Sequence, residues 1–182
     1  MSPVPRVGQS TDYDYSFLAA RQATLLPDEL YFFYLLDRIR QARASICAAV
    51  FIIDIHPARG GEAAQRILDA LAYACWLGLD VRVVVGRSAK TQSIDLMDQL
   101  SFRFLRTSSI PVRVARPVKR SSLHSKYVII DQREVLVGSH NWAYFDLFHS
   151  RQTSVAIQSP HLARRLGRRF DELWSTSDEE YA

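Results

Sequence analysis

The 182-residue chain predicts a mixed α/β/α sandwich, a β-sheet covered by helices on both faces. Three observations lead there. Helix-patterned and β-branched segments alternate through the first two-thirds of the chain, the pattern of strands joined by crossover helices. The later apolar runs are strand-like and closely spaced, as in antiparallel hairpins. The composition, 48% hydrophobic and 23% charged, is globular, and a chain of this size buries most of its apolar surface without a disulfide or metal.

Residues 1–25 carry Pro3, Pro5 and Gly8 with no sustained period, and are expected to form an arm docked by Tyr13, Tyr15 and Phe17. The domain proper is expected over 26–177, with an acidic tail at 178–182. From Pro27 on, Phe32, Leu35, Leu36, Ile39 and Ala42 recur at helical spacing. Asp28 and Glu29 open that segment and Arg38, Arg40 and Arg43 close it, charges that suit the two ends of a helix dipole. Ile46–Ile55 is an apolar, β-branched run, expected as a strand buried on both faces. Ala64, Ile67, Leu68, Leu71 and Cys75 mark a second helix, stopped at Gly78. Val81–Val85 is a second buried strand, about 93–105 a third helix, and Val112–Ala115 a short strand, so this half is expected to be largely parallel. Ser125–Asp131 and Glu134–Gly138, separated by Gln132 and Arg133, predict a hairpin. Thr153–Gln158 is a further strand, and Pro160–Trp174 a closing helix with Leu162, Leu166, Phe170 and Leu173 on one face.

Several classes of function are disfavoured. The longest apolar run, Ile46–Ile53, is far short of the ~20 residues that span a bilayer, and the first residues lack a charged-then-apolar signal pattern. A cytoplasmic protein without a membrane element is expected. Cys47 and Cys75 lie in apolar segments and read as reduced thiols, too few for a structural zinc site. The net charge of +4 is compatible with a phosphate-bearing partner.

The chemistry concentrates between Leu123 and Trp142. His124 and Lys126 are two apart on a predicted strand and leave the same face of the sheet. Asp131 has the opposite parity and stands at the strand end. Gly138, Ser139 and Asn141 follow on the returning strand, with Ser139 and Asn141 sharing a face. An imidazole is a nucleophile and proton shuttle near pH 7, an ammonium beside it suits phosphate oxygens, and hydroxyl and carboxamide add neutral donors. A glycine lets backbone and ligand approach closely. Such a site favours an anionic, tetrahedral phosphorus centre. Metal catalysis fits less well, since no carboxylates converge and a charged lysine is no ligand; no metal or cofactor is expected.

These residues resemble the phospholipase D superfamily, whose mark is H-x-K-x4-D (His124, Lys126, Asp131) followed by G-S-x-N (Gly138, Ser139, Asn141). The resemblance implies metal-independent phosphodiester hydrolysis in two steps. His124 would attack phosphorus while a second histidine protonates the leaving oxygen, and water activated by that second histidine would release the phosphohistidine. Lys126, Ser139 and Asn141 would hold the non-bridging oxygens, and Asp131 would support the local network. Because the chain carries one motif, the mechanism implies a homodimer in which each subunit supplies a His124. Small nucleases of the superfamily place a glutamate about eleven residues after the asparagine to orient the histidine. Here that position is Gln152, whose amide oxygen can accept the bond without carrying charge.

Among the remaining candidates, Arg113, Arg116, Lys119 and Arg120 lead into the motif and are expected to track a nucleic-acid backbone. Arg164, Arg165 and Arg168, on the polar face of the last helix, carry less weight. Trp142 either packs or stacks on a base, and His140, which alternates away from Asn141, is expected to be structural. His56, His149 and His161 have no expected role in the chemistry. The leading expectation is a nuclease acting on DNA or RNA, with room for a larger partner protein that supplies targeting. A lipid phosphodiesterase of cardiolipin type and a nucleic-acid-binding module weakened by Gln152 are the other readings.

Overall fold

The structure, a computed structural model, describes residues 18–87, 92–116 and 123–180. Its elements run β1 (Gln22–Pro27), α1 (Leu30–Gln41), β2 (Ser45–Val50), α2 (Glu62–Trp76), β3 (Asp80–Val85), α3 (Gln92–Thr107), β4 (Val112–Val114), β5 (Lys126–Ile130), β6 (Glu134–Gly138), α4 (Tyr144–Phe148), β7 (Thr153–Gln158) and α5 (Pro160–Thr176). One seven-stranded sheet has the order β1-β7-β6-β5-β2-β3-β4. Strands β2, β3 and β4 are parallel, and β5, β6, β7 and β1 continue as an antiparallel set.

The predicted sandwich is what forms. Ile46, Ala48 and Val50 point into the larger core, against Leu35, Leu36 and Ile39 of α1, Ile67, Leu68 and Leu71 of α2, and Leu105 of α3. Cys47 and Ala49, of opposite parity, face Ala163 and Phe170 of α5. Because both faces are covered, the strand reads as a continuous apolar run rather than an alternating one. The run does not stay in the sheet as far as Ile55, however: β2 ends at Val50, and residues 51–54 continue as irregular chain beside the segment after β6.

Two boundaries differ from expectation. Gln22–Leu25 belong to the sheet rather than to an arm, because β1 pairs with β7 along its length. Four of its six residues are exposed, as on an edge strand, and no apolar run marked it in the sequence. Tyr13, Tyr15 and Phe17 lie outside the described residues. At the other end, Asp178 bridges to Val114 and pairs with Arg116, while Glu179 pairs with Arg113, so the start of the acidic tail is tied to the β4 edge.

The hairpin loop is one residue longer than the predicted Gln132–Arg133, because Asp131 leaves the strand and Ile130 pairs with Glu134. Asp131 and Gln132 have φ of 51° and 52°, and the Arg133 amide donates to the Ile130 carbonyl at 3.0 Å. Positive φ at both central positions matches the right-handed twist of the flanking strands, and Asp tolerates it better than most residues.

Candidate active site

Lys126 opens β5 opposite Val50, the last residue of β2, and is only 7% exposed. Its Nζ donates to the His124 carbonyl at 2.9 Å and stands 3.2 Å and 3.3 Å from His124 Nδ1 and Nε2. Thus the two residues predicted to share a face do meet, with the imidazole exposed and the ammonium sunk behind it. Phe51, the residue after β2, walls this pair: its ring lies 5.0 Å from the imidazole centroid and 5.2 Å from Nζ. Burial pushes the Lys126 ammonium below the ordinary lysine value, and the nearby Asp146 carboxylate works in the opposite direction.

Asn141 reaches this end of the sheet because the chain after β6 runs alongside the continuation of β2. Trp142 and residues 52–54 exchange backbone hydrogen bonds of 2.9 and 2.8 Å. The Asn141 carboxamide is thereby held at both ends: Oδ1 accepts from the Ile52 amide and Nδ2 donates to Asp146 Oδ2, each at 3.3 Å. The orientation leaves one Nδ2 proton free for a ligand oxygen.

Ser139 is placed differently from expectation. Its Oγ donates to Gln152 Oε1 and accepts from the Thr153 amide at 3.1 Å, so its one proton braces Gln152 rather than reaching for a ligand oxygen. Gln152 in turn donates from Nε2 to Asp146 Oδ1 at 2.8 Å, and its backbone amide donates to Asp28 at 3.0 Å. It makes no hydrogen bond to His124. The glycine of the motif also has another reason than ligand approach: a Cβ on Gly138 would fall 2.2 Å from Ser154 Oγ and 2.4 Å from Ser154 Cα. Strands β6 and β7 approach too closely there for any side chain.

The carboxylate next to this network is Asp146, in the first turn of α4. Sequence reasoning missed it, because α4 is a single short turn outside both motifs. The available signal was an acidic residue five positions after Asn141. Phe51 was hidden inside the long apolar run for a comparable reason.

Asp131 is not part of this cluster. It lies at the far end of β5, and its carboxylate accepts from the backbone amides of Arg43, Ala44 and Ser45 at 2.7 to 3.1 Å, fastening the hairpin turn to the start of β2. At about 3.3 Å per residue, seven residues separate it from His124 by roughly 20 Å. The expected support role is therefore structural.

Trp142 is fully buried, and its Nε1 donates to Tyr31 Oη at 3.1 Å, which removes it from base stacking. Burial raises that Tyr31 hydroxyl to about 12. His140 is structural as expected: Nε2 donates to the Asp28 carbonyl at 2.9 Å and Nδ1 accepts from Ser154 Oγ at 2.7 Å, and the ring stacks on Tyr31. Desolvation holds it below the ordinary histidine value. His56 caps the short turn 57–59 by accepting from the Ala58 amide. Of the basic residues expected along the cleft, Arg113 pairs with Glu179 and packs over Trp174, and Arg116 pairs with Asp178. Both are drawn to the C-terminal segment, and Lys119 and Arg120 lie outside the described residues.

An imidazole and a lysine at one end of a mixed, helix-covered sheet, with an asparagine delivered to the same end by the chain after β6, define a phospholipase D-type domain, the layout of a superfamily of phosphodiesterases. The chain belongs to the family described as "Cardiolipin synthase, PLD-like domain", whose model matches residues 35–174. Among curated proteins it is similar to a mitochondrial cardiolipin hydrolase of Danio rerio, with 28% identity over 101 residues. That match takes in 56% of this chain and 42% of the fish protein, so the chain spans less than half of that relative's length. Among solved structures, the phospholipase D family member Nuc of Salmonella typhimurium superposes with a TM-score of 0.69 at 20% identity, covering 86% of this chain and 97% of Nuc. NucT of Helicobacter pylori gives 0.65 at 15%, covering 86% and 98%. No helix among the described residues is long and apolar enough to cross a membrane.

Proposed function

We propose that the chain is a metal-independent phosphodiesterase that hydrolyses nucleic-acid backbones as a homodimer. The observation that supports this most is the single His124–Lys126 pair, with Lys126 Nζ 3.2 Å from the exposed imidazole. A ring nitrogen of His124 attacks phosphorus and the bond to the leaving ester oxygen breaks, that oxygen taking a proton from the partner subunit's His124. The same partner imidazole then accepts a proton from water, whose oxygen attacks phosphorus, breaks the P–N bond and returns His124 to its neutral form. Lys126 and the free Nδ2 proton of Asn141 hold the non-bridging oxygens as negative charge builds. Ser139, Gln152 and Asp146 keep Asn141 in place, and Asp146 supplies near Lys126 the negative charge that Gln152 lacks.

Assays on single- and double-stranded DNA and RNA in EDTA test this reading. Cleavage, a phosphorylated His124 trapped during turnover, and a dimer in sedimentation are the expected results. A folded protein that cleaves none of these substrates refutes it.

The likeness to the mitochondrial cardiolipin hydrolase favours one other reading, a lipid phosphodiesterase. The exposed Val137, Tyr144 and Phe145 close to the site are compatible with a lipid substrate. Headgroup release from cardiolipin vesicles, without nucleic-acid cleavage, would establish that reading instead.

A further inference from the structure

We infer a second anion-binding site at the opposite end of the domain: an arginine-lined trench around the β5–β6 turn that holds the sugar–phosphate backbone of a nucleic acid. Three cavities, of about 630, 590 and 240 Å³, adjoin there. The first two share Arg38, Asp131, Arg133 and Glu134, and the second and third share Gln132 and Arg164, so they form one continuous depression.

Charge accounting makes this depression positive. Glu134 is occupied by Arg38 at 2.7 Å and by the Tyr34 hydroxyl at 2.6 Å. Asp131 is occupied by three backbone amides, and Asp171 by Arg82 at 2.9 Å. Against these, Arg21, Arg40, Arg43, Arg133, Arg164 and Arg168 line the walls, all exposed and without an acidic partner among the described residues. Guanidinium forks grip phosphate oxygens bidentately and hold their charge at any physiological pH.

The shape and lining favour a polyanionic strand over a bilayer. A face that settles on lipid adds apolar side chains that insert below the headgroups. The exposed large apolar residues, such as Leu25, Trp76 and Phe145, line none of these cavities. The trench begins at Asp131, roughly 20 Å along β5 from His124. It therefore adds affinity without touching the phosphorus held at Lys126. This inference shares with the proposed function only the class of ligand.

Binding of labelled DNA and RNA oligonucleotides to the full-length chain, measured by anisotropy between about 50 and 200 mM salt, tests it. The H124A background prevents cleavage during the measurement. Adding R40A, R43A and R133A together should raise Kd about tenfold and flatten the dependence of log Kd on log salt by up to about 3. The three Arg→Lys replacements should retain most of that slope. With His124 restored, the alanine variant should hydrolyse bis(4-nitrophenyl) phosphate at the parent rate. Unchanged oligonucleotide affinity and slope would overturn the trench, as would binding lost only on phosphatidylglycerol vesicles. A parent that cleaves no nucleic acid yet shows the arginine-dependent binding would refute the proposed chemistry and leave the trench standing.

Discussion

The two ends of β5 carry polar residues from one motif and use them in opposite ways. At the Lys126 end the polar atoms face outward: the imidazole is exposed, the ammonium sits behind it, and Asn141 keeps a donor in reserve. At the Asp131 end the carboxylate is turned inward and takes three backbone amides, while Arg40, Arg43 and Arg133 around it have no acidic partner among the described residues. A polar residue near a reactive group is thus not evidence of chemistry until its partners are counted. The same lesson separates the arginines. Arg113 and Arg116, which lead toward the motif in sequence, are tied to Glu179 and Asp178, whereas Arg164 and Arg168, which looked like a solvated helix face, open onto an acid-poor depression.

The sharpest way to separate the two ends is to remove one group from each. His124→Ala should reduce phosphodiester turnover at least about a thousandfold, with thermal stability unchanged, as read by product formation and melting together. Asp131→Ala should behave in the reverse sense. Leaving the amides of Arg43, Ala44 and Ser45 without an acceptor should cost about 2 kcal/mol in denaturant unfolding, while the folded fraction retains its kcat. An Asp131→Ala variant that is fully stable but inactive would erase the distinction.

A smaller effect is expected at Asp146. Lys126 lies below the ordinary lysine value because it is desolvated, so the activity that depends on its ammonium should fall off at a pH below that of a free lysine. Asp146 opposes the shift. Asp146→Asn should therefore move the alkaline limb of the kcat profile to still lower pH, and leave the acid limb where it was. Gln152→Glu alone sets two carboxylates in contact and should weaken activity, whereas Gln152→Glu with Asp146→Asn should recover it. The smallest change should come from Arg113→Ala with Arg116→Ala. Because both guanidiniums are already paired at the surface, oligonucleotide affinity should move less than about twofold, against about tenfold for the trench variant.

Much of this was legible along the chain. His124, Lys126 and Asn141 could be grouped by strand parity and hairpin return, since a two-residue period places side chains on a face without knowledge of the rest. Helices α1, α2 and α5 followed from apolar spacing, and β7 coincided with its apolar run. What escaped were elements whose stabilising partners are distant in sequence. Strand β1 is held by β7, 130 residues away at Leu25 and Val155, and has little apolar character of its own. The α4 turn is too short to show a period, so Asp146 could not be assigned to the site.

The linear order of residues determined the α/β/α class, the single histidine–lysine pair and the absence of a glutamate at position 152. Those depend on short-range periodicity and residue identity, which a chain displays before it folds. Only the tertiary arrangement decided that Asp131 fastens a turn, that Ser139 braces Gln152, and that Asp146 provides the nearby carboxylate. It likewise decided which arginines pair with an acid and which, among the described residues, do not. Pairing of donors, acceptors and charges depends on distances of a few ångströms between segments remote in sequence, and those distances exist only once the sheet has closed.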